Sequence, residues 1–341
     1  MEEKASSSGG VFGRVLGLCS ALLEWVQRLG MLMFAPRHKL DGGMVVLRGG
    51  KVGEGGFSYV FGGVEAGSWR RVVLKQVRID EPEQYASAMR EVEAHRRFDH
   101  PNLMPLLDFS ASRSVALMVF PMCSRSLRQV IDAKVVEGGD AWVPEEFSRL
   151  FDGTCRGAKA IHASGLAHRD IKPENVLIDD GRAVLMDFGS MAEAKVELSS
   201  RRDALVLQDE ASVRSTMSYR APELWEPEAP AFLDTAKADV WALGCLLWAM
   251  AYGYSPFEAD FPTGGKRPRV VECSHLRVLV TPAAPPKDAI GTRHEPDFFL
   301  RVQRASRALL VVDPNTRPDI DRALQLSVSL KEWGAHADPE A

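Results

Sequence analysis

His168-Arg169-Asp170-Ile171-Lys172-Pro173-Glu174-Asn175 is the stretch on which the reading of this chain turns. It sets a carboxylate, a cation and a carboxamide close together. A hydroxyl that accepts a phosphoryl group needs a base or an orienting acceptor, and Asp170 suits that task. Asn175, five residues on, offers an amide oxygen to a hard cation such as Mg²⁺. Twelve residues after Asn175 stands Asp187-Phe188-Gly189, where Asp187 offers a carboxylate oxygen to the same kind of ion.

Outward from this centre, other pieces fall in order. Upstream, Gly53-Glu54-Gly55-Gly56-Phe57-Ser58-Tyr59-Val60 lies between two expected strands. Glycines there let backbone N–H groups approach phosphate oxygens, although alone such a stretch is equally a plain tight turn. Fifteen residues past Val60, the strand Val72-Val73-Leu74 ends in Lys75, which can reach phosphates and then needs an acidic partner. Arg90-Glu91-Val92-Glu93 on the next expected helix supplies two choices. Downstream, Ala221-Pro222-Glu223 closes a segment running from Ser190 to Arg220.

The rest of the chain bounds the reading. With 341 residues, 45% of them hydrophobic, there is ample material for a large core. A net charge of −4 gives no global pull toward nucleic acid. The five cysteines, Cys19, Cys123, Cys155, Cys245 and Cys273, show neither disulfide nor zinc spacing and fit reduced thiols in the cytosol.

Residues 1–10 read as disordered, and 11–43 as an apolar, amphipathic helix (11–34) with a linker (35–43). Arg14, Glu24 and Arg28 argue against a membrane-spanning helix over 11–34, and Glu2 and Glu3 against a secretory signal. Strands are expected at Met44–Leu47, Tyr59–Phe61, Arg71–Val77, Leu103–Leu107 and Val115–Phe120, with a helix over Pro82–Phe98. Helices follow at 144–163, 238–252 and 297–310, with short strands at Val176–Ile178 and Val184–Met186. A strand-rich front leading to a helix-rich back is an α+β arrangement in two lobes, 44–124 and 125–330, before a polar tail at 331–341.

Six motifs in this order and spacing resemble the eukaryotic protein kinase pattern across 44–330. A narrower likeness is carried by Gly53–Val60, Cys155-Arg156-Gly157, Ala160-Ile161-His162-Ala163, Leu185-Met186-Asp187, Leu207-Gln208-Asp209 and Ser218-Tyr219-Arg220-Ala221-Pro222-Glu223-Leu224. These are similar to the Numb-associated kinase family, most of all to a small lipidated member. The resemblance implies a bilobal protein kinase fold with an N-terminal helical extension. It implies a protein serine/threonine kinase using ATP and Mg²⁺ (or Mn²⁺), acting on protein substrates and on itself.

By that resemblance, Gly53, Glu54, Gly55, Gly56, Phe57 and Ser58 cover the ATP phosphates, with Ser58 in place of the usual third glycine. Lys75 pairs with Glu91, which lies nine residues before His100-Pro101-Asn102. Val73, replacing the usual alanine, lies above the adenine, and Val60 below it and Leu177 on the other lobe sandwich the base. Pro121-Met122-Cys123 is the expected hinge and Phe120 the gatekeeper. Asp170 is the catalytic carboxylate, Lys172 and Thr216 its partners, Asn175 and Asp187 the metal ligands. Glu223 and Arg317 are expected as a buried pair, Asp239 as an anchor of the catalytic loop. Arg169 is an expected acceptor for a phosphate on Ser212, Ser215 or Ser218, and Ala204-Leu205-Val206-Leu207 is expected in a packed helix that needs no such phosphate.

Residue 2 is Glu2, so the glycine required for myristoylation is absent; Cys19 is the remaining lipidation candidate. Residues 11–34 dock on the protein body or a partner, lie on a membrane surface, or stay disordered. The expected location is cytoplasmic, with endomembranes such as the Golgi as the surface reached. Two other readings stay open here: a pseudokinase scaffold, and a membrane-tethered adaptor.

Overall fold

The alternating apolar residues after Met44 become an antiparallel sheet. The computed structural model describes residues 26–55, 58–262, 268–280, 282, 285 and 296–332, which form two compact units. The first holds the described residues up to Ala88 with Leu106–Met122; the second holds Met89–Pro105 and the described residues from Cys123 on. The boundary thus falls between Met122 and Cys123, inside the expected hinge.

The first unit is a six-stranded sheet in the order β1-β2-β3-β4-β6-β5. The strands are β1 (Arg37–Lys39), β2 (Val45–Gly55), β3 (Ser58–Glu65), β4 (Arg71–Arg78), β5 (Asp108–Ala111) and β6 (Val115–Pro121). One face closes over Leu40, Val46, Val72, Leu74, Leu117 and Val119. Gly63 sits so close to β2 that a Cβ would meet the Leu47 carbonyl at 2.7 Å. Residues 26–34 form a helix, α1, whose Arg28 guanidinium lies 5.3 Å from the Trp69 ring. Residues 11–25 and Cys19 lie outside the described residues.

Two expectations need correction here. The 35–43 linker contains a strand, because β1 pairs with Val45–Leu47 and the Asp108 carboxylate accepts N–H bonds from Gly42 and Met44 across the turn. The strand expected at Leu103–Leu107 lies instead at Asp108–Ala111, paired with Ala116–Val119. Pro105 has no N–H to give a ladder. Met104 bonds Leu185 instead, and Leu107 bonds Val119.

Helix α2 (Pro82–Arg96) starts in the first unit and continues in the second. The second unit adds α3 (Leu127–Ile131), α4 (Pro144–Ala163), α5 (Arg201–Arg214), α6 (Ala236–Tyr252), α7 (His275–Val278), α8 (Pro296–Leu309) and α9 (Ile320–Ser329). Its short strands are β7 (Arg125–Ser126), β8 (Leu166–Ala167), β9 (Val176–Asp179), β10 (Arg182–Leu185), β11 (Ala192–Glu193), β12 (Lys195–Leu198), β13 (Ala231–Asp234), β14 (Ala259–Asp260) and β15 (Arg269–Val270). Residues Ala238 to Tyr252 of α6 are all buried, as an all-round apolar helix at the centre of a core must be. Trp142 donates its indole N–H to the Met250 carbonyl at 2.8 Å. Gly157 lets α4 approach Asn102, whose carbonyl would lie 2.7 Å from a Cβ there. The β12–β13 pair had no clear counterpart in the sequence pattern.

Candidate active site

In the first unit the register places Lys75 on β4 between Val60 of β3 and Met118 of β6. Val73 lies opposite Gly62 and Phe120, and Gly53 opposite Val60. Phe120 is buried in β6, and Met122 follows at the sheet's end. Glu54 pairs with Tyr59 and Gly55 with Ser58, so the glycine-rich residues form the far end of the β2–β3 ladder. Gly56 and Phe57, expected at its tip, lie outside the described residues.

In the second unit the segment after β8 is built around one buried carboxylate. Asp239 of α6 accepts the backbone N–H groups of His168 and Arg169, both at 2.8 Å, and meets His162 Nε2 at 2.8 Å. These bonds hold Arg169 in the left-handed region, at φ 68°. Burial pushes the Asp239 pKa up. The His162 hydrogen bond and charge, with the charge and N–H of His168, outweigh it and hold the group below the ordinary carboxylate value.

A depressed carboxylate adds stability above its unfolded pKa of ~4 and loses it as pH falls through the lower folded value. Asp239→Asn is therefore expected to lower unfolding free energy at neutral pH by about 1.5–3 kcal/mol. Denaturant midpoints measured from about pH 7 down to about pH 3 check this: the wild-type advantage narrows on the acid side.

The next residues converge on Asp170. Oδ1 accepts from the Thr216 backbone N–H at 2.9 Å and its hydroxyl at 2.8 Å. Oδ2 accepts from Lys172 Nζ at 2.8 Å and Asn175 Nδ2 at 3.0 Å. Lys172 Nζ also donates to Thr216 Oγ1 at 2.7 Å. A carboxylate has about four acceptor sites, and here all are engaged. An arriving hydroxyl would have to replace one of these donors. Asp170, Lys172 and Thr216 are thus brought together as expected, although Thr216 is 46 residues away in sequence.

Asn175 Nδ2 also donates to the Asp170 carbonyl at 2.8 Å, so its amide oxygen is left to accept. Its own carbonyl accepts from the N–H of Met186, the neighbour of Asp187, at 2.9 Å. Asp187 lies in the left-handed region at φ 66°, and its side chain makes no hydrogen bond or ion pair among the described residues. Two oxygen donors suit a cation that takes its remaining ligands from phosphate and water. Leu177 lies on β9, opposite Val184. Burial first, and then Asp179, push the Cys123 thiol up to about 11, so it stays neutral.

Glu91 is buried on α2, with His95 Nε2 3.9 Å from its carboxylate. His95 is a residue the sequence reading missed. Its Nδ1 donates to the Met104 carbonyl at 2.9 Å, and its ring stacks on Phe188 at 4.2 Å. The available signal was its spacing of four from Glu91, which puts both on one helix face. His168 reaches Phe188 edge-on at 5.9 Å, and its Nε2 donates to the Met186 carbonyl at 3.0 Å. The two histidines therefore fix the ring next to Asp187.

Helix α5 forms with Ser200 as N-cap and Asp203 closing a capping box. Of Ala204–Leu207, only Ala204 and Leu207 pack inward; Leu205 and Val206 are exposed. Among the expected phosphate acceptors Ser212 is exposed, Ser218 is buried, and Ser215 donates to Ala211 and accepts from Arg220. Tyr219 lies in the core, while Met217 is half exposed.

The match to known proteins agrees with this geometry. Residues 47–328 fit the family model of the protein kinase domain. Serine/threonine-protein kinase 16 of Rattus norvegicus is 37% identical over 277 residues, 79% of this chain and 85% of that protein. The Homo sapiens protein of the same name is 35% identical over the same length and shares. Serine/threonine-protein kinase ppk13 of Schizosaccharomyces pombe is 27% identical over 256 residues, 63% of this chain and 74% of its own. With the family match spanning both the sheet of the first unit and the Asp170 cluster of the second, the chain belongs to the protein kinase family.

Proposed function

We propose that this chain transfers the γ-phosphoryl group of ATP to serine and threonine hydroxyls of protein substrates, with Asp170 as the carboxylate that receives the hydroxyl. Its strongest support is the convergence of Lys172, Thr216 and Asn175 on the two oxygens of Asp170. A hydroxyl that displaces one donor there is aligned by Asp170, which takes its proton as the new P–O bond forms and the bond from the γ-phosphorus to the β-phosphate oxygen breaks, with ADP as the leaving group. Lys172, already within hydrogen-bond distance of Asp170, supplies positive charge beside the transferring group. Asn175 and Asp187 would hold a divalent cation, Mg²⁺ or Mn²⁺, which when bound neutralises charge on the phosphates. Gly53, Gly55 and Ser58 on the β2–β3 ladder, with Lys75 on β4, are the residues proposed to hold ATP phosphates, and Glu91 to orient Lys75.

The names of the relatives support serine/threonine specificity, as do Lys172 and Thr216 at Asp170. The pseudokinase reading finds no support: Lys75, Glu91, Asp170, Asn175 and Asp187 are all in place in the sequence. Membership in the Numb-associated family is our finer assignment, carried by the local matches noted above.

Incubation with γ-labelled ATP and Mg²⁺ is expected to yield phosphoserine and phosphothreonine on a generic protein substrate, and no phosphotyrosine. Chelating the divalent cation is expected to reduce transfer to background. Transfer that persists in chelator would sink the Asn175–Asp187 assignment, and phosphotyrosine alone would sink the specificity.

A peripheral membrane role is a second proposal, with the cytoplasm and endomembranes such as the Golgi as its setting. Met33 and Phe34 on α1 are 67% and 80% exposed, which favours it. Among the described residues no helix is long and apolar enough to cross a membrane. Full-length protein that never floats with liposomes would end this reading.

A further inference from the structure

We infer that Trp225 is a positioning residue for phosphoryl transfer: its indole face holds the buried Arg220 guanidinium, and Arg220 in turn fixes the peptide unit that joins Ser215 to Thr216 at Asp170. This rests on the kinase reading above and deepens it.

Thr216 gives Asp170 Oδ1 both its N–H and its hydroxyl, so whatever places Thr216 also places two of the donors around the catalytic carboxylate. The residue before it, Ser215, ends α5. Arg220 grips Ser215 twice: Nε donates to its hydroxyl at 2.8 Å and Nη2 to its carbonyl at 3.1 Å. A third bond runs from Nη2 to the Ser212 carbonyl at 3.4 Å. The Ser215 carbonyl and the Thr216 N–H belong to one peptide group, which is planar and rigid. Arg220 therefore holds one side of that plane and Asp170 the other. A tilt of the guanidinium rotates the plane and turns the N–H away from Asp170.

Arg220 itself needs support. It is only 7% exposed, and burial holds its pKa below the ordinary arginine value. Its hydrogen-bond partners are carbonyls and a hydroxyl, and among the described residues no carboxylate forms an ion pair with it. A cation taken out of water without a carboxylate needs another source of negative potential. Trp225 supplies it: the Arg220 Cζ lies 4.8 Å from its ring centroid, and indole is the aromatic face that attracts cations best. The same indole donates Nε1–H to the Arg220 carbonyl at 3.3 Å. Trp225 thus holds Arg220 by side chain and by main chain.

Trp225 is fixed in its turn. Its carbonyl accepts from Gln208 Nε2 of α5 at 2.6 Å. Its ring lies nearly parallel to that of His275 on α7, with centroids 5.9 Å apart and 9° between the planes. Half-buried, it packs against the main core of the second unit. An aliphatic side chain at this place fills space but brings neither a π face nor an N–H.

The test compares full-length wild type, Trp225→Leu, Trp225→Phe, Arg220→Met and the Arg220→Met/Trp225→Leu double variant, assayed with Mg-ATP and a generic serine/threonine peptide. Trp225→Leu is expected to lower kcat about tenfold while KM for ATP moves less than about twofold. Trp225→Phe, which keeps a ring face, recovers part of the loss. On the Arg220→Met background the second substitution is expected to do nothing further, a non-additivity that general damage to the core would not produce. Fluorinated tryptophans placed at position 225 alone weaken the negative potential of the ring face with little change of shape, and kcat is expected to fall with each added fluorine. These analogues carry the comparison should Trp225→Leu not fold. Trp225→Leu with full kcat, an equal loss on both backgrounds, or a kcat indifferent to fluorination would overturn the inference. A wild type without transfer would remove the kinase reading and this inference together; an active wild type with an indifferent Trp225 would remove the inference alone.

Discussion

Asp170→Asn is expected to lower kcat by about 10³-fold while leaving ATP affinity nearly unchanged. Asparagine keeps the shape but replaces one acceptor oxygen by an N–H donor. In the present geometry Oδ1 faces two donors from Thr216, and Oδ2 faces Lys172 and Asn175. Whichever way the new amide turns, its NH₂ meets donors, and no carboxylate is left to take a proton from the substrate hydroxyl. Nucleotide affinity is a separate matter, since the phosphate-holding residues proposed above are others. Steady-state assays with equilibrium nucleotide binding separate the two effects. A variant that keeps transfer within about tenfold of wild type would remove Asp170 from the chemistry.

The largest effect on stability is expected at Arg317. Its side chain is fully buried, and its five N–H donors are all taken. Nη1 and Nη2 meet the two Glu223 oxygens at 2.7 and 2.9 Å. Nε donates to Val311 at 2.7 Å, Nη1 to Lys237 at 2.9 Å and Nη2 to Val312 at 3.1 Å. The guanidinium also lies 5.1 Å from the Trp241 ring at the centre of α6. Arg317→Met strands the Glu223 carboxylate and three carbonyls, and Glu223→Gln strands the cation. Each is expected to lower unfolding free energy by about 3–5 kcal/mol. That is a large part of the roughly 5–15 kcal/mol that holds a domain together. The double replacement Glu223→Gln/Arg317→Met is expected to fall short of the summed losses, because no lone charge remains. Urea midpoints with an unchanged slope check both statements. A single variant losing under about 1 kcal/mol would show that the pair is not structurally important.

The expected strands and helices were legible where period and punctuation agreed. Pro144–Ala163 was readable in full, with Pro144 at its first turn and an apolar stripe down one face. Elements that depend on distant partners were less legible. The strand Arg37–Lys39 exists because Val45–Leu47 lies beside it and Asp108 closes the turn. The two-residue strand Ala192–Glu193 exists because Leu166–Ala167 is its partner. Neither segment carries enough local preference to declare itself.

The sequence alone determined the chemical inventory: which carboxylates, amides and cations lie within the stretch from Arg169 to Asn175, and their order with Lys75 and Asp187. Order and spacing persist in a linear chain because they are covalent. Tertiary structure decided which of these groups meet. It brought Thr216 to Asp170 and Asp239 to the N–H groups of His168 and Arg169. It stacked His95 on Phe188 and set Glu210 against Arg169. Hydrogen bonds and ion pairs act over a few ångströms, so only folding, which brings residues tens of positions apart within that reach, can choose their partners.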